Sequence, residues 1–209
     1  MDETRIKLLV NRIFERKEGA DSKAATFRDV ADMKEIAAIS DTEGEPTELA
    51  YRLNSFLAEQ YESMGRFSIA AIFREKALQI AKALTAQGKP APDDLSDMLA
   101  LLLRDRNFYI DDDCEEIRAL VCGLLVQEEI DRRFAAMKNR RRNLRHDPVE
   151  MSEAYLAVID AVEEKIEKNR KFRGLGACFE IWELKRNYLA EYGIFWKSPA
   201  ALNPFVRFD

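Results

Sequence analysis

Apolar residues recur along this chain at the spacing of an α-helix, almost from one end to the other. Since a helix turns once every 3.6 residues, apolar residues at positions i, i+3, i+4 and i+7 share one face. Stripes of this kind begin near residues 6 and 27, and a third follows Pro46, which suits the first turn of a helix. Polar breaks at 18–22 and 40–45 separate them, so the pattern predicts three helices before residue 65. The apolar members of the stripes are Ile6, Leu9, Val10, Ile13 and Phe14; Phe27, Val30, Ile36 and Ala37; and Leu49, Leu53, Phe56, Leu57, Tyr61 and Met64.

Glycine, proline and charge mark the next boundaries. Gly65 precedes a fourth predicted helix over 68–86, and the segment 87–92, with one glycine and two prolines, ends it. A fifth helix is predicted over 93–106. One long helical stretch should then run over 111–145, because three aspartates open it and several arginines close it, as the helix dipole favours.

The C-terminal part of the sequence predicts two more helices and a tail. One apolar stripe runs from Tyr155 to Ile166 and another from Cys178 to Leu189, with glycines between them. Six of the large apolar side chains in the tail, residues 193–209, would each contribute roughly 1.5–3 kcal/mol when buried. We therefore predict that the tail wraps back over the helices and caps an apolar face; docking into another subunit or a partner is the alternative. The six are Phe195, Trp196, Leu202, Phe205, Val206 and Phe208.

Composition agrees with a helical chain. Its 209 residues are 47% hydrophobic, which indicates a globular protein, and 34% charged, against roughly 25% in an average domain. Such a charge content is expected when amphipathic helices keep their outer faces in water. We predict an all-α fold of about seven or eight helices with antiparallel neighbours, either a helical bundle or a short α-solenoid. We predict that the chain forms a single domain, 1–209, with a possible subdivision into 1–90 and 91–209.

Residues 51–84 contain two helices in which small and bulky residues could interlock around a glycine turn. This segment resembles a tetratricopeptide repeat, a helical hairpin of about 34 residues. Three positions depart from the family pattern: Asn54 replaces a tryptophan, Arg74 replaces an aromatic residue of the second helix, and Lys82 replaces the closing proline. The matching positions are Leu57, Ala58, Tyr61, Gly65, Phe67, Ala70, Lys76, Ala77 and Leu78.

The resemblance implies a non-catalytic module that binds a protein or peptide partner, as an adaptor or regulator, on the concave face of the first helix. Ser55 and Glu59 stand where a carboxylate-clamping subgroup has cation and amide donors, so we expect a basic or neutral segment instead. The alternative to a peptide-binding surface is an ordinary solvated helix face. The implied peptide-binding positions are Arg52, Ser55, Glu59, Glu62 and Ser63.

A basic stretch at 132–145 suggests the alternative function of nucleic-acid association, since a phosphate backbone rewards dense positive charge. Residues 147–164, however, contain six acids and no base, and few aromatic residues lie nearby for base stacking. We therefore expect the stretch to be solvated or paired within the chain. The candidate nucleic-acid residues are Lys138, Arg140, Arg141, Arg142 and Arg145, and Arg132 and Arg133 precede them.

The remaining chemistry is sparse. The net charge of −5 points to no polyanionic partner for the whole molecule, and the three cysteines lack zinc-site spacing. With one histidine, His146, and no catalytic or phosphate-binding motif, we expect no enzyme activity, no cofactor and no metal. The first twelve residues mix acids and bases, and the longest uncharged apolar run is 119–126. We expect a soluble, cytoplasmic protein without a membrane contact, and the sequence leaves a homo-oligomer open.

Overall fold

A computed structural model describes residues 3–18, 27–41, 46–107, 115–139, 144–171 and 174–208. Within these ranges the chain is helical and contains no β-strand, which confirms the all-α fold. The chain folds into two compact units, and the boundary between them lies near residue 142. They are called here the N-terminal and C-terminal units. The helices of the N-terminal unit are α1 (Glu3–Glu18), α2 (Phe27–Asp41), α3 (Glu48–Ser63), α4 (Phe67–Ala86), α5 (Leu95–Asn107), α6 (Glu115–Val121) and α7 (Gln127–Asn139).

The α3–α4 hairpin is the centre of the N-terminal unit. Gly65 adopts a left-handed backbone conformation (φ +73°) at its turn, which glycine tolerates at little cost. The rings of Tyr61 and Phe73 stack at 5.4 Å between centroids, as expected from an interlocking pair of helices. Three small residues of the hairpin, which the sequence predicted at contacts between helices, are buried in the hydrophobic clusters of this unit. They are Ala58, Ala70 and Ala77.

The odd-numbered helices α1, α3 and α5 run in the same direction, since side-chain contacts bring together like ends of α1 and α3 and of α3 and α5. Near their C-terminal ends, α1 and α3 are joined by Lys17 and Gln60, whose side chains approach to 2.5 Å. Near the N-terminal ends of α3 and α5, the Tyr51 hydroxyl donates a hydrogen bond to Asp94, just before α5, at 2.5 Å. Helix α2 contacts α1 and α3, and α4 contacts α3 and α5. This order of contacts fits either of the two predicted arrangements, a helical bundle or a short α-solenoid.

The predicted long helix over 111–145 is wrong as a single element. The chain turns at 122–126, between α6 and α7, where Gly123 has a left-handed φ of +84°. The amide of Leu124 donates to the carbonyl of Val121 and closes the turn. Because this glycine stands within an apolar run, no polar residue in the sequence marks the break between the two helices. The aspartates at 111–113 and the arginines at 140–142 lie outside the described residues.

The C-terminal unit contains a short 3₁₀ helix (Pro148–Met151), α8 (Glu153–Asn169), α9 (Ala177–Ala190) and α10 (Pro199–Leu202). Its small core is formed by α8, α9 and the tail, with Ile159, Val162 and Leu189 buried. The described ranges thus hold ten α-helices instead of seven or eight, since the predicted long helix divides and α10 forms within the tail.

The tail folds back within the C-terminal unit, as the sequence predicted. Ile194 and Trp196 are buried, and the ring of Phe208 meets Trp182 edge-on at 5.1 Å. The expectation that these apolar side chains are buried is wrong for Phe195, Phe205 and Val206, which are 88%, 100% and 44% exposed. Burial alternates along this segment, since Phe195 faces water while its two neighbours, Ile194 and Trp196, are buried.

Candidate peptide-binding surface

The outer face of α3 carries the five predicted peptide-binding positions. Their spacing of three, four, three and one residues keeps them on one side of a helix. Arg52, Glu59 and Ser63 are exposed, whereas Ser55 and Glu62 are half-buried. The opposite side of α3 is buried against its neighbours. Helical periodicity was therefore a sufficient basis for predicting that these side chains share a surface.

Three of these side chains make local contacts within α3. Arg52 forms an ion pair with Glu48 one turn earlier, and both side chains are exposed. The Ser55 hydroxyl donates to the Tyr51 carbonyl at 3.1 Å, and the Ser63 hydroxyl donates to a carbonyl of its own helix in the same way. An exposed ion pair contributes at most about 1 kcal/mol, so the pair with Glu48 leaves the Arg52 side chain available to a ligand.

Glu62 differs, because it belongs to a cluster of charges between α3, α4 and α5. Arg74, only 1% exposed, forms ion pairs with both Glu62 and Asp105. Arg104 approaches Glu62 to 2.6 Å and Asp105 to 2.8 Å. Burial lowers the pKa of Arg74, although hydrogen bonding to Glu62 opposes this effect. The Glu62 carboxylate is therefore engaged within the fold and is a weaker candidate for ligand contact than its neighbours.

Arg74 explains one departure from the tetratricopeptide pattern. It stands where that pattern has an aromatic residue, and it reaches Asp105 of α5 instead of packing a ring. Asp105 is fully buried, so its carboxylate depends on its arginine partners. Sequence analysis missed this cluster, although an arginine within the apolar stripe of α4 was the available signal.

A shallow groove of about 260 Å³ lies beside the exposed face of α3, between the N-terminal halves of α1 and α3. Ile6 and Leu49 supply its apolar lining. Charges of both signs surround these apolar residues, and one of them belongs to the predicted residue Arg52. The lining residues are Glu3, Ile6, Lys7, Glu48, Leu49 and Arg52.

A second groove, of about 340 Å³, lies between α2, α3 and α4. Asn54, at the position where the tetratricopeptide pattern has a tryptophan, is buried here. It donates hydrogen bonds to Ser40 at 3.1 Å and to the Ala50 carbonyl at 2.8 Å. Lys76 and Asp41 also line this groove and form an ion pair at 2.9 Å. A polar residue of moderate size thus ties α3 to α2 where a large ring would fill the space.

The basic stretch at 132–145 is only partly described. Arg132 pairs with Glu129 at 2.5 Å, and Arg133 pairs with Asp97 of α5 at 3.0 Å. These two charges are therefore neutralised within the N-terminal unit. Arg145 is exposed, and its amide donates to the Asn203 side chain. The side chain of Lys138 and the whole of Arg140, Arg141 and Arg142 lie outside the described residues, so their role in nucleic-acid binding stays a prediction.

A buried carboxylate in the C-terminal unit was not found from the sequence. Glu150 accepts a hydrogen bond from the Trp196 indole at 2.6 Å, and the side-chain nitrogens of His146 and Lys185 lie 3.6 and 3.7 Å from it. Burial alone would raise its pKa, but hydrogen bonding to His146, the charge of Lys185 and the indole lower it to about 2. Glu150 therefore acts as an ionised anchor that holds the tail through Trp196.

The described residues include neither a metal-binding cluster nor a membrane-spanning helix. They contain no group of three or more histidine, cysteine, aspartate or glutamate side chains placed to hold a metal ion. None of their helices combines the length and apolar character needed to cross a bilayer. Comparison of the chain with models of known protein families, with curated proteins and with solved structures gives no match.

Proposed function

We propose that this protein is a non-catalytic module that binds a peptide segment of another protein along the outer face of α3 and the groove between α1 and α3. The observation that carries the proposal is the position of that groove. Its apolar residues Ile6 and Leu49 lie beside Arg52, at one end of a helix face whose exposed polar side chains continue to Ser63.

The charges of this surface favour a segment with at least one basic residue. Glu59 is exposed and has no ion pair within the described residues, so it can accept a ligand cation. Arg52 is held by an exposed pair with Glu48, which costs at most about 1 kcal/mol to break. The groove volume of about 260 Å³ suits one apolar side chain of the segment.

Selection from a library of random peptides of about twelve residues, displayed on phage, tests the proposal with the full chain as bait. Binding of each selected peptide is then measured by fluorescence anisotropy. We expect Glu59→Lys and Leu49→Asp each to weaken binding at least about tenfold, because one removes the partner of the basic residue and the other makes the groove polar. Lys89→Glu, at an exposed position of the α4–α5 connection, is the control and leaves binding unchanged.

Two results would contradict this function. One is a library that yields no peptide with a measurable dissociation constant. The other is a set of peptides whose affinity is unchanged by both surface variants, since such peptides bind elsewhere. Circular dichroism of each variant checks that a loss of binding does not come from a loss of fold.

A further inference from the structure

Four exposed residues of α9 form a straight stripe along the side that faces away from the core of the C-terminal unit. Phe179, Glu183, Arg186 and Ala190 are spaced by four, three and four residues, the interval of a seam along which helices pair. Phe179 is 51% exposed although it is a large aromatic side chain. These four residues are called here the α9 outer stripe.

The charges of the α9 outer stripe lack partners in the described structure. Glu183 and Arg186 are exposed, and neither forms an ion pair within the described ranges. Other acid–base pairs at the same spacing do close, as in Glu129 with Arg132 at 2.5 Å. The two opposite charges of the stripe are therefore both available to a facing surface.

The order of residues in the stripe is complementary to itself. When two identical helices pack antiparallel about a two-fold axis midway between residues 183 and 186, each position i faces position 369 − i of the other copy. Glu183 then faces Arg186 of the second copy, twice by symmetry. Phe179 faces Ala190 in the same way, so a large side chain meets a small one at each end.

We propose that the α9 outer stripe binds the same stripe of a second copy of this chain, forming a symmetric dimer. Charge complementarity selects this occupant, because one helix supplies both signs in the order that its own copy requires. Adjoining apolar surface would extend the contact: Leu175 is 88% exposed, and Trp182 packs edge-on against Phe179 at 5.4 Å. This extension is needed, since a 14-residue helix is only about 21 Å long and specific interfaces bury about 1,200–2,000 Å².

Sedimentation velocity of the full chain, from about 5 to 200 µM, tests the proposal. We expect a monomer–dimer equilibrium. Arg186→Glu gives a copy with two acids in the stripe, and Glu183→Arg gives a copy with two bases. Each variant alone faces like charges at both central contacts, so we expect its dimer dissociation constant to rise at least about tenfold.

The decisive measurement is the sedimentation of a mixture of the two variants. One copy then presents two acids to two bases of the other, so both contacts become attractive, and we expect a heterodimer about as stable as the unaltered dimer. Lys89→Glu changes the net charge as much as Arg186→Glu but lies in the α4–α5 connection, so it should leave the dissociation constant unchanged. A chain that stays monomeric to about 200 µM would overturn the proposal. So would single variants that dimerise normally, or a mixture that forms no heterodimer.

Discussion

Replacing Arg74 with methionine removes the central cation from the charge cluster of α3, α4 and α5. Asp105 is 0% exposed and, among the described residues, then retains Arg104 alone as an ion-pair partner at 2.8 Å, while Glu62 retains the same arginine at 2.6 Å. Removing one partner of a buried ion pair typically costs about 3–5 kcal/mol, because the remaining charge is left in a medium that solvates it poorly. Since Arg104 still reaches both carboxylates, we expect the lower end, about 3 kcal/mol.

The measurement is urea unfolding of the full chain, followed by far-UV circular dichroism at pH 7. Domains are typically stable by about 5–15 kcal/mol, so the variant should fold but unfold at a clearly lower urea concentration. The double variant Arg74→Met with Asp105→Leu removes both buried charges, and we expect it to recover most of the loss. Arg52→Met removes an exposed ion pair and serves as the control, with a change of about 0–1 kcal/mol. A single variant that loses less than about 1 kcal/mol would refute the argument that Asp105 depends on Arg74.

Three further predictions follow from single features of the structure. The pKa of Glu150 is lowered from 4.5 to about 2, so its ionised form stabilises the folded state above about pH 4.5. Roughly 3 kcal/mol of this stability should be lost as the pH falls towards 2. Unfolding of Glu150→Gln across this range should show a smaller loss, and a pH profile equal to that of the unaltered chain would contradict the role of Glu150 in anchoring the tail. Gly65→Ala should lower the stability by about 1–2 kcal/mol in a thermal melt, because an alanine backbone is strained at φ +73°. No atom blocks the added side chain, so an unchanged melting temperature would contradict backbone strain as the cause. Fluorescence anisotropy with a labelled single-stranded RNA should show no binding at about 150 mM salt, because Arg132 and Arg133 already form ion pairs within the chain. Tight RNA binding that weakens as the salt concentration rises would instead favour the nucleic-acid alternative.

The parts of the fold that the sequence predicted correctly depend on local signals. The α3–α4 hairpin was recognisable because Gly65, the small residues and the apolar stripes all favour the same turn and packing. The failure at α6 and α7 has the opposite origin, since Gly123 stands in an apolar run that continues the helical pattern on both sides. Its backbone conformation, and not its neighbours in sequence, ends the helix.

The candidate site, too, was predictable from the sequence only where local signals determine it. The shared face of Arg52, Ser55, Glu59 and Ser63 follows from helical periodicity alone. The groove beside it depends on how α1 lies against α3, and no spacing within either helix encodes that. The engagement of Glu62 by Arg104 likewise depends on the register of α5 along α3, across a separation of 42 residues.

Two of the three departures from the tetratricopeptide pattern share one physical consequence. Asn54 bonds to Ser40 of α2, and Arg74 pairs with Asp105 of α5, so the central hairpin is joined to the helix on each side by a buried polar contact. An aromatic ring packs acceptably against many apolar surfaces, whereas a buried amide or guanidinium is stable only where its own partner is placed. The neighbouring hairpins must therefore supply Ser40 and Asp105 instead of bulky apolar residues. This requirement gives a physical reason why the segments flanking 51–84 do not repeat its sequence pattern even though they stack on it as helical hairpins.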